Sequence, residues 1–397
     1  MRSPIRRAGA YTLLAAIVAV GFAAAILGGP FRAVERSDYM TYQTAAIIVR
    51  NGDGDCLYTV ECQAAAQLAL IGEEPSFTAG ALPFNSPPWL AGLLVPLAGL
   101  SLATAFAIFT FLSLLLLGWG AYRLAWGGPA TRLLVAALVL SAWPTVMAAI
   151  RGQSSLAVAG LLALSVAAGT TQLGSGAAAG LSAIKPTLFP LWLAWLAVAG
   201  RWRALLVAAL TITALVLLAN LVASPGAVLD YPGYLFGSVA DSNAAGVHVE
   251  QMMNWRGAAS RLGIDGIATT AVGTLVTLGI LGAAWWWARS SPRAPAIGAA
   301  SALAATPLVI THANQHEAIL VALSVVIAVG AFEELRPTLA RAAIGAHSFL
   351  WLGAILPAEL GGWALFVVAL GWLVVLAVLA RREAARYPRQ VAVQTGT

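Results

Sequence analysis

FRAVERSDYMTY (residues 31–42) and PFNSPPW (residues 83–89) bracket a polar-leaning stretch, residues 30–89, inside an otherwise oily chain. A segment of that length is costly to keep among apolar runs unless it carries a function. Around it the 397 residues are 60 % apolar and 10 % charged, with mean hydropathy +0.84. Soluble domains carry about 25 % charged residues, so the composition points to an all-α polytopic membrane protein. Apolar runs fill residues 1–397 as one integral membrane domain and leave no room for a separate soluble one.

Run lengths and charge set the expected topology. Arg2, Arg6 and Arg7 precede the apolar run 10–27, which reads as an uncleaved anchor, since no convincing cleavage site follows and many more runs do. Further spans are expected near 101–124, 131–149, 154–170, 175–185, 187–200, 204–223, 266–288, 295–311, 316–332, 341–357 and 361–380, about 12 transmembrane helices with the anchor. Residues 87–100 form too short a run to cross and read as an interfacial or re-entrant helix within a first extracytoplasmic loop, 30–100. That loop is expected to carry amphipathic or juxtamembrane helices. A second outer loop covers 224–265, and 381–397 is a cytoplasmic tail. With both termini inside, 15 of the 22 cations face the cytoplasm and 13 of the 16 carboxylates face out. Counting 87–100 as a span would spoil this asymmetry. The net charge of +6 is spread between apolar runs rather than clustered, which excludes a nucleic-acid surface.

On this topology the polar motifs that interrupt apolar runs share the outer side: Asp38, Arg151-Gly152-Gln153, Lys185-Pro186, Asn254-Trp255-Arg256 and His312 to Glu317. Helix-end polar groups without a common purpose would divide between both sides, so a composite site is expected. Lys185 is the only lysine, at a proline break between two short spans. A buried ammonium costs several kcal/mol unless paired, which makes it a functional candidate with phosphate as its expected partner; a snorkelling or structurally paired lysine is the competing reading. Arg151 suits an anion or the C-terminal end of a helix. The planar fork of Arg256, beside Asn254, suits phosphate or sugar hydroxyls, or anchors the interface with Trp255. His312 and His316 stand four apart, one helical face, with Glu317 adjacent. Two imidazoles and one carboxylate fall short of a closed zinc site, so hydrogen bonding to a substrate is favoured over metal, and His312 has a structural role as its alternative. Asp38, Tyr42 and Ala45 fall on one side of an amphipathic helix expected to run to about Arg50, with Asp38 either working in chemistry or capping the helix beside Ser37. Cys56 and Cys62, in the outer loop, can form a disulfide or stay free. No nucleotide-binding motif is present.

A carboxylate outside, cations in the membrane and no nucleotide site suit transfer from a lipid phosphate. Phosphate leaves without a general acid and needs only cations for its developing charge, and the acceptor hydroxyl needs one base. One base implies single displacement with inversion; retention calls for a second close carboxylate.

The ordered set Asp38-Tyr39-x-x-Tyr42-x-x-Ala45-Ala46, Leu57-Tyr58, Pro87-Pro88-Trp89 with Pro96-Leu97, Gly152-Gln153, Lys185-Pro186 and the His312 region resembles the polyprenol-phosphate-dependent GT-C glycosyltransferases. Within them it is most similar to glycosyltransferase family 87, a group of bacterial mannosyltransferases. The resemblance implies a bacterial plasma-membrane enzyme with an extracytoplasmic site. A polyprenyl-phosphate sugar, mannose first, would be the donor, and a glycolipid or glycan the acceptor. Asp38 would be the base. Lys185, Arg256 and Arg151 would hold the donor phosphate, and Tyr42, Gln153, Asn254, His312 and His316 would position substrate. No cofactor is implied, and a divalent metal stays open. The rival classes are a lipid or glycolipid transporter or flippase, which also places ionisable groups in broken helices, and an assembly protein for which Asp38 is dispensable.

Overall fold

The computed structural model describes residues 34–35, 37–72, 81–169, 171–240, 248–264, 266–341, 343–344 and 358–387. Every regular element among them is helical. The expected anchor at 10–27 and nearly all of the expected span 341–357 lie outside the described residues. Two compact units are distinguishable, Met1–Pro190 with Arg201–Val249, and Leu191–Gly200 with Glu250–Thr397.

The first unit contains α1 (Asp38–Arg50), α2 (Val60–Ile71), α3 (Pro88–Leu94), α4 (Leu102–Leu124), α5 (Pro129–Leu140), α6 (Trp143–Arg151), α7 (Ser155–Ala167) and α8 (Gln172–Leu181). The chain then passes through α9 (Pro190–Val198), most of which belongs to the second unit, and returns for α10 (Trp202–Val222) and α11 (Pro225–Ala240). The second unit is completed by α12 (Trp255–Leu262), α13 (Gly266–Ala288), α14 (Ala294–Val309), α15 (Ile319–Ala331) and α16 (Ala358–Arg386).

Among the described residues four helices are long and apolar enough to cross a membrane: Leu102–Leu124, Trp202–Val222, Ile267–Ala288 and Ala358–Arg386. The number rises to six if Pro129–Leu140 with Trp143–Arg151, bent by 59°, and Gln315–Ala331 with Glu333–Arg341, bent by 105°, each count as one span. The expected set of about 12 is not realised as 12 long helices among the described residues, because hydropathy measures apolar runs and not helix breaks. The runs at 154–170 and 175–185 become helices of 13 and 10 residues, about 20 Å and 15 Å at 1.5 Å per residue, short of the ~30 Å hydrocarbon layer. Helix α16 continues to Arg386, into the residues expected as the tail, 381–397. The stretch 224–265, expected as a second outer loop, carries helices α11 and α12.

The expected amphipathic helix at 38–50 starts and ends as the sequence suggests but is buried nearly all round, from Tyr39 through Ala46 and again at Ile48 and Val49. Its threonine hydroxyls are satisfied locally: Thr41 donates to the Asp38 carbonyl and Thr44 to the Met40 carbonyl, both at 2.7 Å. Gln43 reaches out to the Leu100 carbonyl at 2.8 Å. On α2, Gln63 and Gln67, four apart and both buried, hold the segment that leads to Trp89. The Gln67 amide both donates to and accepts from Leu82, at 2.7 and 3.0 Å, and Gln63 accepts the Phe84 N–H at 3.0 Å. Two side-chain amides thus replace a strand partner for backbone that would otherwise be buried unpaired. Cys56 and Cys62 form a disulfide that ties the turn Gly54–Cys56 to the first turn of α2.

In the second unit, Ser324 on α15 donates to the Ala300 carbonyl of α14 at 2.6 Å and accepts the Trp372 indole N–H of α16 at 2.8 Å, joining three helices at one hydroxyl. At one end of this unit Met253 N–H bonds the Ala313 carbonyl and Gln315 the Ala358 carbonyl, both at 2.8 Å. At the other end Arg293 and Arg386 both pair with Glu334 and with Glu383.

Close helix contact in the first unit depends on Gly176 and Gly180, spaced as small-x-x-x-small. A Cβ at Gly180 would stand 2.5 Å from Thr211 Cβ and 2.7 Å from the Ala208 carbonyl oxygen of α10, and one at Gly176 would strike the Ala204 carbonyl. Gly180→Val is expected to destabilise the protein by about 1–3 kcal/mol, read as a lowered unfolding midpoint in detergent. Gly282→Ala on α13, with nothing within 4 Å of its Cβ position, should leave the midpoint near wild type.

Candidate active site

The α6–α7 turn puts three consecutive polar side chains into the interior of the first unit. Helix α6 ends in a Schellman arrangement, Gly152 N–H to the Ala149 carbonyl and Gln153 N–H to the Ala148 carbonyl. Gly152 has φ +61, and a Cβ there would lie 2.5 Å from Tyr39 Cβ. Only glycine meets both requirements. The tight turn delivers Gln153, Ser154 and Ser155 in succession, all buried.

Gln153 is the hub. Its Nε2 donates to Asp38 Oδ2 at 2.5 Å, and its Oε1 accepts from Lys185 Nζ at 3.2 Å. Tyr42 Oη also donates to that oxygen at 3.4 Å and lies 3.3 Å from Ser154 Oγ. Lys185 donates further to Ser155 Oγ at 2.7 Å. The amide has a single sensible orientation here, with its NH2 toward the carboxylate and its oxygen toward the ammonium. Burial pushes the Tyr42 phenol above its ordinary value, against the pull of the Lys185 charge, so it stays a protonated donor. Asp38 is the first residue of α1, half-buried, while Ser37 is the cap residue and spends its hydroxyl on the Val34 carbonyl.

Lys185 follows a short 3-10 turn, Ser182–Ile184. Its position is set from α3: the Trp89 indole N–H donates to the Ala183 carbonyl at 2.9 Å, two residues before the lysine. Trp89 in turn packs edge-on against Tyr231, and Tyr58 packs against Tyr231, Tyr234 and Phe84. Tyr58 also donates to the Ser86 carbonyl at 3.0 Å. The residues 83–89 therefore link an aromatic cluster to the lysine turn.

Of the residues singled out in the sequence, the structure brings Asp38, Tyr42, Gln153 and Lys185 together. Arg151, the last residue of α6, is exposed and outside this hydrogen-bonded group. The others belong to the second unit. There Asn254 caps α12, accepting the Gly257 N–H at 2.9 Å and donating to the Ile310 carbonyl at 2.7 Å. Both ends of its amide are committed to backbone, which accounts for the residue without a substrate. Arg256, next but one, is half-buried. His312 and His316 do not share a helical face: the backbone is non-helical until Gln315, where a single 3-10 turn begins. His312 Nε2 lies 3.2 Å from Asn314 Nδ2, whereas His316 is buried and pairs with Glu317 at 2.9 Å. Among the described residues no group of three His, Cys, Asp or Glu side chains is placed to hold a metal ion.

Ser154, Ser155 and the positioning role of Trp89 were not singled out as site residues from sequence. The signal for the serines was present, a Gly-Gln-Ser-Ser run between two apolar stretches. For Trp89 no pattern distinguishes an indole that bonds a distant carbonyl from one that only packs.

Long apolar helices, and a carboxylate and an ammonium held around one buried amide, describe a membrane protein with a polar cluster in its interior. The chain belongs to glycosyltransferase family 87, whose family model matches residues 84–311. It is a membrane glycosyltransferase. Gln153, Lys185, Asn254 and Arg256 fall within the matched stretch, and Asp38 precedes it. No curated protein and no solved structure matches the chain.

Gly152→Ala should destabilise the protein by about 1–3 kcal/mol through forced φ and the Tyr39 contact. Denaturant or thermal unfolding in detergent measures it, with Gly263→Ala, which has positive φ but nothing within 4 Å, separating the backbone cost from the clash.

Proposed function

We propose that this glycosyltransferase transfers a sugar, with mannose the expected one, from a polyprenyl-phosphate donor to a lipid-linked or glycan acceptor at the extracytoplasmic face, with inversion. The observation that carries the reading is the Gln153 amide joining Asp38 to Lys185.

In this reading the acceptor oxygen attacks the anomeric carbon as the bond from that carbon to the phosphate oxygen breaks. The acceptor proton passes to the Asp38 carboxylate, and the electron pair of the broken bond leaves with polyprenyl phosphate. Charge grows on the departing phosphate, where Lys185 opposes it. The cluster around Gln153 holds one carboxylate, which suits single displacement and gives no partner for a glycosyl-enzyme intermediate. Tyr42 and Gln153 orient the sugar or the two charged groups. Gln153 has a second effect in this scheme. By standing between carboxylate and ammonium it keeps them from meeting as a salt bridge, which would weaken the base and occupy the cation. Arg151, Arg256, His312 and His316 enter the scheme by sequence alone, as further contacts to donor or acceptor.

Asp38→Asn should remain folded and lose transfer by about 10²–10⁴-fold, the range for a removed general base. Lys185→Ala should lose about 10²–10³-fold, as when one stabilising donor is withdrawn. Purified protein in lipid nanodiscs with labelled polyprenyl-phosphate mannose and native membrane-lipid extract measures both. Wild-type rates in either variant would remove that residue from its role, and transfer from other polyprenyl-phosphate sugars but not from mannose would correct the donor.

A further inference from the structure

A second candidate site lies at the end of the second unit away from Asn254 and His312. It is a cavity of about 250 Å³ lined by Trp286, Trp287, Arg289, Ser290, Ala384 and Tyr387. The volume is several times the ~30 Å³ of a water molecule and below the ~300–1,000 Å³ of drug-sized pockets. A head group fits that range. Its position is set by two helices long and apolar enough to cross a membrane, Ile267–Ala288 and Ala358–Arg386, which both end there. Residues 286–290 and 384–387 therefore stand where hydrocarbon gives way to head groups. Trp286 and Tyr387 are well exposed, as aromatic residues at that depth usually are.

The charge at this end is unbalanced. Glu333 pairs with Arg336, while Glu334 and Glu383 are both held by Arg293 and Arg386. Arg289 and Arg381 are exposed and pair with no carboxylate among the described residues. Arg289 stacks over the Trp286 ring at the cavity, and Arg381 sits three residues before Ala384, on the same face of its helix. A guanidinium held against an aromatic ring keeps its donor edge for another ligand and has lost part of its side-chain entropy already.

We infer that this cavity binds the phosphate head group of an anionic membrane phospholipid, with Arg289 as the principal contact and Trp286 and Tyr387 bracketing the glycerol. The site is separate from the Asp38 cluster and does not depend on the reading given to it. Basic pockets between helix ends are suited to such head groups, and each cation near an anionic lipid surface adds measurably to binding.

The test is native mass spectrometry of the delipidated full-length protein, titrated with short-chain phosphatidylglycerol, phosphatidylcholine of the same chain length, and inorganic phosphate. Wild type should bind one phosphatidylglycerol at least about tenfold more tightly than phosphatidylcholine. Arg289→Glu should abolish that preference, Arg289→Gln should reduce it, and Arg203→Glu, an exposed arginine of the first unit, should leave it intact. Unfolding midpoints exclude a folding defect; should Arg289→Glu fail to fold, Arg289→Gln and Tyr387→Ala carry the test. Equal binding of both lipids by wild type, or an undiminished preference in the Arg289 variants, would overturn the proposal. Inorganic phosphate binding as tightly as the anionic lipid, and lost with it in Arg289→Glu, would overturn the lipid assignment and leave a free-phosphate site.

Discussion

One carboxamide holds the candidate site together. Gln153 presents a donor to a carboxylate and an acceptor to an ammonium, and it is buried while doing so. In an apolar interior an unsatisfied amide costs about 1–3 kcal/mol and an unpaired charge far more. Each partner therefore constrains the other two. Remove the amide and the opposite charges either meet directly or face the interior unsupported. The elements around it serve that geometry: Gly152 allows the turn, Trp89 sets the lysine segment, and Gln63 and Gln67 hold the backbone that leads to Trp89.

The aromatic cluster of Tyr58, Phe84, Trp89 and Tyr231 gives the same region rigidity. Burial keeps Tyr58 and Tyr231 above the ordinary phenol range, so these rings remain neutral and usable as apolar surface with one hydroxyl each. The disulfide between Cys56 and Cys62 brackets Tyr58 in sequence. A covalent staple at the base of the cluster limits the freedom of the loop that carries Tyr58.

The sequence disclosed Asp38, Tyr42, Gln153 and Lys185 because polar groups stand out in oily runs, where retaining them is expensive. It indicated α1 as far as about Arg50, where asparagine, glycine and aspartate follow in turn. What it concealed was mostly length and direction. A hydropathy run counts residues and is blind to the bend between Leu140 and Trp143, so short interior helices resembled full spans. The capping bonds of Asn254 were hidden because a capping amide and a binding amide are the same letter. His312 and His316 suggested a shared face only on the assumption of helix, and the backbone between them is not helical. Small hydroxyls such as Ser154 and Ser155 are common in membrane helices for packing, which hides the ones that bond.

The partners of Gln153 are far apart along the chain. Asp38 precedes it by 115 residues and Lys185 follows it by 32. A chain emerging from the ribosome makes the acid first, waits through several helices for the amide, and receives the lysine later still. Partial products thus lack the complete Gln153 cluster. The hydrogen-bonded cluster closes at a late stage of the chain's own assembly, once these three distant segments have docked.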